Sequence, residues 1–213
     1  MIVMLDTSHN LDQAESEIGY SVEELFTPLT RRAPKRPQSH FAIDNGAFSK
    51  QGFCPRKFRN LIERHKDRIS LCRFVVVPDV VFSARRTLEV FEHWRHELPR
   101  WKLAFVAQDG QENLPIPFEH IDCLFIGGST RWKESDAALA CVRAARACEK
   151  WVHIGRINEE NRFEGFEKLN ADSCDGTGIG QYSWMREQIR ERNSPHRLFP
   201  TSDLVSVDFQ NVT

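Results

Sequence analysis

Five places in the chain set polar groups immediately after a short apolar run: Ile43-Asp44-Asn45-Gly46-Ala47-Phe48, Val77-Pro78-Asp79, Val106-Ala107-Gln108-Asp109-Gly110, Phe125-Ile126-Gly127-Gly128-Ser129-Thr130 and His153-Ile154-Gly155-Arg156. A further polar segment, Asp172-Ser173-Cys174-Asp175-Gly176-Thr177-Gly178, follows one short helix later. Each has an ordinary explanation when taken alone. Glycine turns tightly at positive φ, and a lone carboxylate caps the helix that follows. Their succession points to one mouth that binds a polar, planar ligand. Carboxylates accept from the N–H donors of a guanine-like edge, while an amide and glycine N–H groups donate to its carbonyl oxygen. Two carboxylates can also share the work at a glycosidic carbon, one as nucleophile and one as acid/base.

Such a mouth needs elements that bring the segments together. The apolar runs Ile2–Leu5, Phe41–Ile43, Phe74–Val77, Leu103–Ala107, Cys123–Ile126 and Val152–Ile154 are short and mostly β-branched or aromatic, as strands are. Amphipathic stretches at Arg56–Lys66, Arg85–Glu97, Glu134–Cys148 and Ser183–Arg192 predict helices between and after them. Strands recurring every roughly 20–40 residues make βα units and a parallel sheet, whose reactive groups gather at the C-terminal strand ends. Residues 8–40 interrupt the rhythm and read as an inserted loop. It ends in a basic arm with Arg31, Arg32, Lys35 and Arg36, either a solvated loop or a set of phosphate contacts beside the mouth.

The composition excludes several classes. With 40% hydrophobic residues, 15 Phe and 5 Trp, the chain has ample material for a core and is not disordered for want of apolar surface. Its 29 Lys and Arg against 30 Asp and Glu exclude a globally basic nucleic-acid coat, though not a basic face. No apolar run approaches the roughly 20 residues that span a bilayer, and Asp6 comes too early for a signal peptide. A soluble, cytoplasmic protein is expected, with no membrane partner. The six cysteines show no CxC or CxxC spacing, so neither a zinc site nor disulfides are expected. Cys141 and Cys148 should share one face of a helix as buried free thiols. Residues 1–213 read as one domain.

The order Asp-Asn-Gly-Ala-Phe, Pro-Asp, Ala-Gln-Asp-Gly, Ile-Gly-Gly-Ser and Cys-Asp-Gly resembles the tRNA-guanine transglycosylase superfamily, a (β/α)8 barrel lineage. It is most similar to the DNA-acting 7-deazaguanine transglycosylases of phages and bacteria, over roughly residues 41–180. The resemblance implies that Asp175 is the nucleophile at C1′ of the sugar and Asp44 the general acid/base toward the purine. It implies that Asp79 and Gln108 contact the base, and that the N–H groups of Gly127 and Gly128 meet the purine oxygen. The implied fold is a compact TIM-type α/β barrel without a zinc subdomain. Leu204–Phe209 would supply its eighth strand, or the barrel is incomplete. No cofactor or metal is implied. The implied partners are DNA, a 7-deazaguanine base such as 7-cyano-7-deazaguanine, and a DNA-opening protein if the substrate is duplex.

Two departures bear on the substrate. The chain is much shorter than the tRNA enzymes and has no match to their cysteine-rich subdomain, which favours DNA over tRNA. Ala47 also stands where the family has glycine. Base exchange at a deoxyribose passes through an oxocarbenium-like state and needs a flipped or single-stranded nucleotide. Arg156 is a candidate for that nucleotide's phosphate, or else an ion-pair partner of Asp172 or Glu159. His153 reads as a satisfied core histidine. The rival readings are a DNA or nucleoside glycosylase using water, a non-catalytic DNA-binding subunit, and a barrel cradling a phosphorylated metabolite at Gly127–Thr130.

Overall fold

The computed structural model describes residues 1–193, and the Leu204–Phe209 segment lies outside them. Eight parallel strands close into a barrel in chain order: β1 Ile2–Leu5, β2 Val22–Phe26, β3 Phe41–Ile43, β4 Cys72–Val76, β5 Leu103–Ala107, β6 Cys123–Ile126, β7 Trp151–Ile154 and β8 Ser173–Asp175. The barrel is complete without the C-terminal segment, because β8 pairs with β1 through Met4 and Asp175. This is an α/β barrel of the TIM type.

The helices are α1 Leu11–Ile18, α2 Pro55–His65, α3 Ala84–Trp94, α4 Thr130–Lys133, α5 Asp136–Ala147, α6 Glu160–Lys168, α7 Thr177–Gln181 and α8 Ser183–Asn193. They are not spread evenly. Residues 27–40 after β2 contain no helix, and 3-10 turns alone connect β5 to β6. The stretch 8–40, expected as an inserted loop, is corrected. It contains α1 and β2, and only its second half is loop.

Alternation along each strand sorts side chains into two cores. Val3, Phe26, Phe41, Val75, Phe105 and Leu124 face outward to meet the helices, while Met4, Leu25, Phe74, Val76, Val106 and Phe125 fill the barrel. The interior is solid, as packing in barrels of this size requires. Below it, Arg73 pairs with Glu23 at 2.7 Å and lies over the ring of Trp151. The six cysteines are free thiols, but Cys148 is exposed and does not share the buried face of Cys141. Helix α5 stops at Ala147, so the seven-residue spacing no longer holds the two on one stripe. Among the described residues no helix is long and apolar enough to cross a membrane.

Candidate active site

The inward alternation of β3 and β5 continues one step past each strand body, Ala42 being followed inward by Asp44 and Val106 by Gln108, while within β8 Ser173 is followed by Asp175 at its last position. Together with Asp79 they line a cavity of about 280 Å³ at the C-terminal mouth, floored by Met4, Leu25, Val76, Val106 and Phe125. Gly127 and Arg156 also line it.

Asp175 is held from two sides. Its Oδ1 accepts the main-chain N–H of Arg156 at 2.9 Å, and its Oδ2 lies 3.0 Å from Nε2 of His153. His153 is fully buried, with its ring centroid 4.6 Å from that of Phe125. Its Nδ1 lies 2.8 Å from Ser173 Oγ, which accepts from the indole N–H of Trp151 at 2.8 Å. A carboxylate can only accept, so Nε2 carries the hydrogen toward Asp175. In the neutral ring Nδ1 then accepts from the Ser173 hydroxyl. The chain runs from Trp151 through Ser173 and His153 to Asp175 with one direction throughout. His153 is thus the satisfied core histidine expected, and one of its two partners is Asp175.

Asp79 sits in the loop after β4. Its Oδ1 accepts from Asn45 at 2.7 Å and its Oδ2 from Gln108 at 2.6 Å, so each oxygen keeps a lone pair for a ligand N–H. Burial raises its pKa, while these two bonds oppose the rise. Gln108 turns its Oε1 to the N–H groups of Gly128 at 3.0 Å and Phe82 at 2.9 Å. One hydrogen of its Nε2 holds Asp79.

Asp44 is half-buried. Burial first, then the charges of Asp175 and Asp79, push its pKa up to about 7. The N–H of Gly46 bonds its Oδ2 at 3.0 Å and opposes part of that shift. A carboxyl group that titrates near neutrality can both give and take a proton.

Gly127 lines the cavity and Gly128 does not, and the N–H of Gly127 bonds Ala107 O while that of Gly128 bonds Gln108 Oε1. Neither N–H is left for a purine oxygen. Space explains these glycines: a Cβ on Gly127 would strike Val106, and one on Gly128, at φ +57°, would strike Trp132. The donor nearest that role is the second hydrogen of Gln108 Nε2. Gly176 likewise answers to the protein rather than to a sugar, since a Cβ there would collide with the carbonyl of Ile157.

Arg156 pairs with neither Asp172 nor Glu159, which bind Arg146 and Arg162 instead. Its guanidinium donates to Gly128 O and stands 3.8 Å over the ring of Phe48. Burial lowers its pKa, opposed by Asp175, Asp79 and Asp109. Its φ of 60° is left-handed, as is the 63° of Phe82, and both N–H groups are caught by site side chains. Phe48 and Phe82 meet edge to face at 6.1 Å and are more than half exposed at the rim.

The basic arm divides. Arg36 is tied to Asp12, Glu15 and the carbonyl of Val22, and Lys35 donates to His9 O, so these two brace α1 and β2. Arg32 reaches Ser8 O at 3.4 Å, and Arg31 is exposed. Asp109 bonds the N–H and hydroxyl of Ser129, the N-cap of α4, and so ties the end of β5 to the end of β6. Three residues escape the sequence reading: Asn45, Asp6 and Lys133. Asp6 directly follows β1 and lines the cavity, so the strand-end rule would have found it. Buried Lys133 props Gly155 O below Arg156, and burial lowers its pKa to about 8.

Among the described residues, no group of three or more His, Cys, Asp or Glu is placed to hold a metal ion. Comparison with protein-family models and with curated proteins finds no match to this chain.

Proposed function

We propose that the protein is a DNA guanine transglycosylase that exchanges guanine for a 7-deazaguanine through a covalent aspartyl-deoxyribose intermediate. The observation that carries this reading is the inequality of Asp44, Asp79 and Asp175, three of the four carboxylates that line one small cavity, Asp6 being the fourth. Asp175 is fixed by two donors, Asp79 is committed to Asn45 and Gln108, and Asp44 has its pKa raised to about 7.

Each inequality has a use. Asp175 attacks C1′ as the bond to N9 of guanine breaks. Protonated Asp44 supplies the proton that lets guanine leave as a neutral base. Asp44, now ionised, takes the N9 proton of the incoming 7-deazaguanine. That nitrogen then attacks C1′ and releases Asp175. Protons and bonds balance over the cycle, and no cofactor is required. Asp79 accepts from the N–H edge common to both bases, and Gln108 donates to their carbonyl oxygen. The Phe48–Phe82 pair at the rim suits a stacked base at low sequence cost.

The test supplies the protein with single-stranded DNA and labelled 7-cyano-7-deazaguanine. Label entering DNA, with guanine released in equal amount, supports exchange. Guanine release that leaves abasic sites and no label marks a hydrolase instead.

A further inference from the structure

A second hollow, of about 550 Å³, opens beside the cavity between the β2 loop and helix α2. Its helical wall is the stripe Lys57, Asn60, Leu61 and Arg64, spaced as one helix face. Its other wall is the loop Pro28–Arg31, held in place where Arg64 donates to Thr30 O at 3.1 Å. Arg31, Lys57 and Arg64 thus surround one depression, and no carboxylate is among the described residues that line it. Some neighbouring surface cations are matched instead, Arg36 with Asp12 and Glu15, Arg59 with Glu97, and Lys66 with Glu63. None of the three has a carboxylate partner among the described residues; Lys57 donates only to Gln51 Oε1, at 2.9 Å, and three such cations around one hollow, with the Gln51 and Asn60 amides beside them, suit an anion. Leu29, largely exposed, lines both the hollow and the main cavity, so the two are neighbours across one side chain.

We propose that this hollow binds backbone phosphate of a single-stranded polynucleotide, beside the nucleotide whose base enters the main cavity. The anion site stands on its own residues, whereas the strand as occupant rests on the transglycosylase reading. The inference also moves the phosphate contacts. Of the basic arm only Arg31 takes part, and its companions come from α2.

The experiment is fluorescence anisotropy of a labelled single-stranded DNA oligonucleotide across a salt series. It compares wild type, the neutral variant Arg31→Gln/Lys57→Gln/Arg64→Gln, and the charge-keeping variant Arg31→Lys/Lys57→Arg/Arg64→Lys. Single-stranded contacts contribute a slope of about 0.7 per phosphate, so the neutral variant should flatten the slope by roughly two units. The charge-keeping variant should hold most of it, which separates charge from folding. Equal slopes in all three proteins, or no DNA binding by wild type, would overturn the proposal. Displacement of the oligonucleotide by inorganic phosphate at matched ionic strength, without a salt slope, would overturn the strand and assign a small phosphorylated ligand. A slope that falls in the neutral variant of a protein that exchanges no base keeps the cleft and removes the reading of the main cavity.

Discussion

Asp175 Oδ2 lies 3.0 Å from His153 Nε2 while its other oxygen accepts the main-chain N–H of Arg156. The carboxylate is therefore held in its rotation from opposite sides, one of them the fully buried interior of the barrel. In the proposed exchange, a group fixed this way would meet C1′ with little reorganisation, which is where much of a positioned nucleophile's advantage lies.

Asp175→Asn should abolish the denaturant-resistant adduct with DNA and lower exchange by roughly 10³-fold or more. Electrophoresis under denaturing conditions reads the adduct. An undiminished adduct in this variant, together with its loss in Asp44→Asn, reverses the two roles.

His153→Gln tests positioning. A misdirected Asp175 should lower kcat by up to about 10²-fold with a smaller change in KM for DNA. His153→Phe also strands the Ser173 hydroxyl and should cost stability of about 1–3 kcal/mol, seen as a lower Tm. A drop in Tm with kcat intact would make His153 structural only.

The pH profile of exchange should be a bell near pH 7. Guanine expulsion needs Asp44 protonated and fails above its pKa of about 7, whereas capture of the incoming base needs it ionised and fails below. The stability linkage has the opposite sense to the usual carboxylate. Because folding raises this pKa, the unfavourable contribution is absent at low pH, grows from about pH 4 and is complete above about pH 7. Asp44→Asn should therefore stabilise the protein at pH 8, by at most about 4 kcal/mol, and not at pH 4. Thermal melts at both pH values check the sign.

Phe48→Ala should weaken DNA binding by about 1–3 kcal/mol if a base stacks there, and Phe82→Ala should do the same. Titration with single-stranded DNA measures it. Unchanged affinity in both would leave the rim pair without a role in the strand's capture.

The sequence discloses the site better than it discloses the barrel's completeness. Asp44 and Gln108 are legible because each directly follows an apolar run, whereas Asp175 is singled out by the resemblance of Cys-Asp-Gly alone. Strand β2 is not, since Glu23 and Glu24 break its apolar pattern, and their partners Arg73 and Arg68 stand far along the chain. Strand β8 is three residues of Ser-Cys-Asp, whose polar members belong to the buried chain from Trp151 to Asp175. His153 looks like an ordinary core histidine until β7 and β8 are set side by side, His153 opposite Ser173. The basic arm misleads for the converse reason. Nothing within its own run shows that Arg36 is answered by Asp12 and Glu15.

The floor of Met4, Leu25, Val76, Val106 and Phe125 closes the cavity toward the barrel interior and leaves its doorway at the C-terminal mouth. Traffic through it runs in series. In the proposed exchange the expelled guanine must depart before its replacement can take the same seat, so the sugar waits on Asp175 in between. Free guanine then competes directly with the incoming base and, when abundant, drives the reaction backward. The lifetime of the waiting intermediate, and with it the exposure to stray water, is set by the doorway as much as by the chemistry.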